Sequence, residues 1–147
     1  WQETIDINLT GPFLVSKHAL PALCSSRGNI VNVASALALV GWRDECAYGP
    51  SKAGVVQLTK SMALDYAEFI RVNCICPGAI RTDMIKDLLP DDDNKENLLK
   101  EYGQIHHLHQ RLALAEEIAE SVLFLASDDA SLITGVALPV DAGFTAG

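Results

Sequence analysis

Two residues hold the clearest chemistry. Tyr48 and Lys52 stand four positions apart in Tyr48-Gly49-Pro50-Ser51-Lys52. On a helix that spacing puts a phenol and an ammonium on one face. A free tyrosine has a reference pKa near about 10, too high for proton exchange at neutral pH. An ammonium roughly 5 Å away, at an effective dielectric of about 20, stabilises a phenolate by about 3 kcal/mol. Such a pair is therefore a candidate acid/base. Ser35 closes the apolar run Asn29–Ala34. A serine at a strand's carboxyl end can hydrogen-bond a substrate carbonyl, or it can simply cap a turn. A third group, Cys76-Pro77-Gly78-Ala79-Ile80-Arg81-Thr82, pairs a residue without an N–H with one without a side chain. Backbone can approach a flat ring or a phosphate closely there, and the same residues also make an ordinary turn.

The surrounding elements must hold these residues in place. Residues 2–25 have helical texture, with Ile5, Leu9, Phe13 and Leu14 recurring near a 3.6 period and Gly28 ending the segment. Asn29–Ala34 and Arg71–Cys76 read as short buried strands, the second stopped by Pro77-Gly78. Residues 36–46 read as a loop and 47–68 as a helix; Pro50 suits only its first turn. Residues 81–114 are polar, acidic and read as irregular. Ala115–Ser127 reads as an amphipathic helix opened by Glu116 and Glu117, and Gly135–Val140 as a third strand. Strand–helix–strand alternation implies βαβ units and a parallel sheet. The expected fold is α/β, the C-terminal portion of a Rossmann-like doubly wound sheet: three strands plus long helices. The first strand lacks a neighbour on one side, so further strands are expected upstream.

Composition narrows the function classes. The chain has 147 residues, 49% hydrophobic and 20% charged, a mix that fits one globular domain. A net charge of −8 and a pI near 4.8 disfavour nucleic acid and anionic membranes as partners. No run of about 18 apolar residues and no secretory pattern is visible. A start at Trp1 fits a fragment better than a natural beginning. Cys24, Cys46, Cys74 and Cys76 form no disulfide framework, which favours the cytoplasm. Cys74 and Cys76 read as small core residues.

Taken together, these motifs resemble the short-chain dehydrogenase/reductase family. The resemblance rests on Asn8-Leu9-Thr10-Gly11, a strand ending in Ser35, Tyr48-x-x-x-Lys52, Arg71-Val72-Asn73 with Pro77-Gly78 and Thr82, and Ile133-Thr134-Gly135 with Val140-Asp141-x-Gly143. It covers nearly the whole chain. It implies hydride transfer between NAD or NADP and an alcohol or carbonyl substrate. It further implies that Asn8 holds a water in a proton relay, Ser35 stabilises the substrate carbonyl, and Tyr48 is the general acid or base. Lys52 would bind the nicotinamide ribose and activate Tyr48. Pro77, Gly78, Ile80 and Thr82 would line the nicotinamide and phosphate end of the cofactor, while Asn73 would be structural. The resemblance makes residues 1–147 a partial NAD(P)-binding domain with a substrate loop at about 83–114. It implies a homodimer or homotetramer through the helices at about 2–25 and 47–68.

The chain departs from the family pattern in several places. The glycine-rich phosphate loop and the residue that selects NAD or NADP are not in it. The stretch Asp65–Arg71 lacks a common glycine, which predicts a tighter turn, and Ala142 replaces another. A non-catalytic fragment that only dimerises therefore stands as the alternative reading. His106, His107 and His109, with Asp91-Asp92-Asp93, read as a polar lid or solvated surface, and no metal ligand set is assigned. Trp42 and Arg43 fit substrate contact or packing equally well.

Overall fold

The computed structural model describes residues 1–87, 89–90 and 93–147. The first helical stretch is continuous from Gln2 to Ser26 but not uniform. It comprises α1 (Gln2–Ile5), a π-helical turn (Asp6–Thr10) and α2 (Gly11–Ser26). Arg27, in the left-handed region at φ 53°, ends it, one residue before the glycine that the sequence pointed to. β1 (Asn29–Val33) follows, then a 3-10 turn at Ala36–Ala38 inside the expected loop. Next come α3 (Tyr48–Asp65) and β2 (Arg71–Pro77). Pro50 stands in the first turn of α3, where its missing N–H costs no intrahelical bond.

The turn from α3 to β2 manages without the glycine. Phe69 and Ile70 both donate backbone N–H groups to the Tyr66 carbonyl, and none of these residues has a positive φ.

The region 81–114, expected to be irregular, contains two helices: α4 (Asp83–Asp87) and α5 (Lys95–Gly103). The reason is local. Lys95, Glu96, Lys100 and Glu101 are strong helix formers, and α5 buries Leu99 against the body of the fold. Polar composition hid that single anchor. Asp93 is exposed, while Asp91 and Asp92 of the acidic run lie outside the described residues. The chain closes with α6 (Ala115–Ala126) and β3 (Ala137–Val140).

The three strands are parallel in the order β1-β2-β3, with Cys74 opposite both Asn32 and Ala137. Helices cover both faces, giving a Rossmann-like α/β fold. Side chains of one parity on β2, Val72, Cys74 and Cys76, pack toward α2 and α3 with Val55, Val56, Met62 and Ala63. Ile75, of the other parity, packs toward α6 with Ile118 and Leu125. This division follows from the two-residue alternation of a strand. β2 is the buried central strand. β1 has a partner on one side only, and Val33 at its end is 54% exposed.

Cys74 and Cys76 lie fully in this core. The Cys76 thiol is pushed upward, first by its hydrogen bond with Cys74 and then by burial. A thiol held protonated in this way is a packing group, not a nucleophile.

Candidate active site

The carboxyl ends of parallel strands are where ligands bind in open α/β sheets. Here Ser35, the Pro77–Thr82 segment and Asp141 all follow the carboxyl ends of their strands. α3 begins at the same edge, so Tyr48 and Lys52 open onto it. The Lys52 ammonium donates to the Val33 carbonyl at the end of β1 (3.1 Å) and stands 5.7 Å from the centroid of the Tyr48 ring. Sequence spacing brought the two onto one helical face; the β1 carbonyl fixes where the ammonium points. Burial lowers the Lys52 pKa from its ordinary value.

Ser35 is buried and extended, and its Oγ accepts the Leu37 N–H (3.2 Å), capping the 3-10 turn. That contact uses an oxygen lone pair and not the hydroxyl proton, so capping and donation to a substrate carbonyl are compatible.

Asn8 enters from the first helical stretch. It lies in the π-turn, where Gly11 bonds back five residues to Asp6. π-turns of this kind interrupt the regular ladder. The Asn8 amide donates to Ser51 Oγ (3.1 Å), and Ser51 donates to the Tyr48 carbonyl (2.7 Å). Gly54 permits the approach: a Cβ there would overlap the Leu9 side chain. Ser51, fully buried, was missed in the sequence. Its position three residues after Tyr48, facing back along α3, was the available signal.

The Pro77–Thr82 segment is held from several directions. Gly78 donates to the Val140 carbonyl (3.1 Å), Ala113 to the Ala79 carbonyl (3.0 Å) and Arg81 to the Ala113 carbonyl (2.9 Å). Ile80 bridges Ala113 in parallel fashion, and the Thr82 N–H closes onto the Ile80 carbonyl (2.8 Å). A Cβ on Gly78 would sit 3.0 Å from Asp141 Cα and would overlap the His106 ring. Backbone therefore packs closer against His106 and Asp141 here than any side chain allows.

His106 corrects the surface reading of the histidines. It is 1% exposed, whereas His107 and His109 are exposed. Trp42 packs edge-on against Phe144, with ring centroids 5.6 Å apart at 71°. Asn73 is fully buried. Its amide donates to the Ile133 carbonyl (2.8 Å) and its oxygen accepts the Val136 N–H (3.1 Å), a structural clamp.

Comparison with known proteins bears on the family and the fold. The family profile described as Enoyl-(Acyl carrier protein) reductase matches residues 1–145. The chain belongs to the short-chain dehydrogenase/reductase family. It is similar to trans-4-hydroxycyclohexanecarboxylate dehydrogenase of Sinomonas cyclohexanicum, 41% identical over 148 residues, spanning 100% of this chain and 52% of that protein. The ligand-free aldohexose dehydrogenase of Thermoplasma acidophilum superposes with a TM-score of 0.95 at 39% identity, over 100% of this chain and 60% of that one. Two further short-chain dehydrogenase/reductase structures are nucleotide complexes. ElxO with NADP bound has a TM-score of 0.85 at 31% identity, over 95% of this chain and 56% of that one. A 4-hydroxyisoleucine dehydrogenase mutant complexed with NADH and succinate has 0.84 at 35%, over 97% and 58%. The chain thus spans a little over half the length of the relatives it matches. Among the described residues no helix is long and apolar enough to cross a membrane.

Proposed function

We propose that this chain carries the proton-transfer machinery of an NAD(P)-dependent oxidoreductase acting on a small-molecule alcohol or ketone. The observation that carries the reading is the Tyr48–Lys52 pair at the sheet's carboxyl edge, with Lys52 anchored on the end of β1 beside Ser35. The residues present fit a dinucleotide. The Pro77–Thr82 turn is held at the sheet's carboxyl edge by its bonds to Val140 and Ala113, and the partly buried Lys52 offers an ammonium to ribose hydroxyls. Pro77, Gly78, Ile80 and Thr82 are the cofactor-lining positions. Bound NAD or NADP would supply the hydride chemistry.

The chain's own residues do the rest. In oxidation the alcohol loses its carbinol hydrogen as hydride and its hydroxyl hydrogen as a proton. Tyr48 receives that proton, and in reduction it returns one to the carbonyl oxygen. Lys52 stabilises the phenolate, and the Ser35 hydroxyl donates to the substrate oxygen. Asn8, through Ser51, ties the relay side of the site to the start of α3. The relatives with NADH and NADP support a nicotinamide cofactor without favouring either form.

The domain reading is a partial NAD(P)-binding unit over residues 1–147. Pairing through the long helices as a homodimer or homotetramer fits their exposed apolar side chains, among them Val15 at 71% and Leu64 at 81%. Residence in the cytoplasm suits the four free cysteines.

The test is Tyr48→Phe in the protein expressed from its complete reading frame. Turnover should fall about 100- to 10,000-fold, the usual weight of a general acid/base. Calorimetric titration with NAD(H) and NADP(H) should show binding retained. Residual turnover above roughly 5% would remove Tyr48 from the proposed role.

A further inference from the structure

We propose that His106 is a positioning residue, a buried neutral imidazole that sets the shape of the Pro77–Thr82 turn for the dinucleotide. The inference deepens the proposed function and rests on it.

His106 lies far along the chain from that turn, three residues past the end of α5. Its ring nevertheless packs into the turn. The Ala79 N–H donates to His106 Nε2 (3.0 Å), and His106 Nδ1 lies 2.6 Å from the Arg111 carbonyl oxygen. A backbone N–H can only donate, so Nε2 must be bare. A carbonyl can only accept, so Nδ1 must carry the hydrogen. The two contacts together select one neutral tautomer out of three possible states of the ring.

A histidine that merely fills space has no need of this arrangement. The ring occupies the volume that a side chain on Gly78 would take. It grips the next residue by its amide, and the backbone N–H of His106 donates to the Gly103 carbonyl (3.1 Å), tying the residue to the last turn of α5. Arg111, whose carbonyl accepts the hydrogen bond from the imidazole N–H, makes a two-pronged ion pair with Glu117 at the start of α6 (2.8 and 2.6 Å). One imidazole thereby joins the proposed cofactor turn to α5, within the substrate loop, and to α6, which follows it. Loss of the acceptor would leave the Ala79 N–H without a partner, so the turn would shift at that point while its bonds to Val140 and Ala113 still hold it. Displacements of this size weaken ligand positioning without touching the reacting atoms.

The experiment uses His106→Leu and His106→Gln in the protein expressed from its complete reading frame. Glutamine keeps an acceptor near the Nε2 position; leucine fills similar space without one. The dissociation constant of NADH or NADPH, read by fluorescence in the absence of substrate, should weaken about tenfold in His106→Leu. That factor corresponds to one buried hydrogen bond of about 1.4 kcal/mol. The KM for the alcohol should change little. His106→Gln should return the constant to within about threefold of the parent. Unchanged nucleotide affinity in His106→Leu, or a glutamine variant as weak as the leucine one, would reduce His106 to packing. Should His106→Leu not fold, imidazole nitrogen chemical shifts of the unmodified protein decide instead. A protonated Nδ1 and a bare Nε2 support the proposal; any other state overturns it. This spectrum needs neither nucleotide nor turnover, so it separates failure of the His106 assignment from failure of the oxidoreductase reading.

Discussion

Replacing Asn73 by leucine should be one of the costliest single changes available in this fold. The two side chains share a branched shape, so the perturbation is the loss of one donor and one acceptor plus the bulk of two methyl groups, a bulk that the Asn32→Leu control also adds. The Asn73 amide serves the Ile133 carbonyl and its oxygen serves the Val136 N–H, both in the link between α6 and β3. A buried backbone group left without a partner costs about 1–3 kcal/mol. Ile133 keeps a weak donor in Arg71 Nη1 at 3.4 Å, which puts its share at the low end. The sum is about 2–4 kcal/mol. Asn32→Leu is the control. Its amide donates to Thr59 Oγ1, and Thr59 keeps its own bond to the Val55 carbonyl, so that loss should be about 1 kcal/mol. Urea unfolding at one fixed protein concentration, followed by circular dichroism, reads both. With a slope of about 2 kcal/mol per molar, the Asn73 variant's midpoint should fall by about 1–2 M. Equal midpoints for the two variants, or a loss under about 1 kcal/mol at Asn73, would refute the clamp.

Two further outcomes follow from the electrostatics and the backbone. Arg111 first, and the Leu114 N–H second, hold the Glu117 carboxyl at about 2, below its ordinary 4.5. A carboxylate depressed in the fold stabilises it above the unfolded pKa and loses that contribution as pH falls through 4.5 toward 2. Glu117→Gln should therefore flatten the acid limb of the stability profile; identical limbs for the parent and variant would show the pair to be inert. Ala142 holds φ at 51°, a conformation that costs a side-chain-bearing residue about 1 kcal/mol. The glycine that the family pattern favours there is thus not neutral. Ala142→Gly should raise the melting temperature by about 2–4 °C, and a fall would show that the strain is relieved elsewhere.

The site also shows how one contact serves two ends. Lys52 reaches the β1 carbonyl, Asn8 reaches Ser51 at the start of α3, and His106 reaches the β2 turn. Each joins a different element of the fold to the carboxyl edge of the sheet. Tyr48 stands among them as the member with a proton to exchange in the proposed reaction.

Local chemistry in the sequence determined much of this protein. The Tyr48–Lys52 pair needs only helical spacing to meet, and Pro50 marks the first turn of the helix that holds it. The β-branched and apolar residues of Asn29–Val33 and Arg71–Cys76 select parallel strands, but only the second is buried, because β1 stands at the edge of the sheet. The order of these motifs was enough to assign the family. Tertiary structure decided the rest, because the deciding contacts join residues far apart along the chain. Asn8 and Ser51 are separated by 43 positions, and Ala79 and His106 by 27. No periodicity records a bond of that span. His106 and His109 look alike in a polar run, yet one is sealed against Gly78 while the other faces solvent. Helix α5 escaped notice for a related reason. Its main anchor is Leu99, and a single buried leucine makes no stripe until the body of the fold is there to receive it.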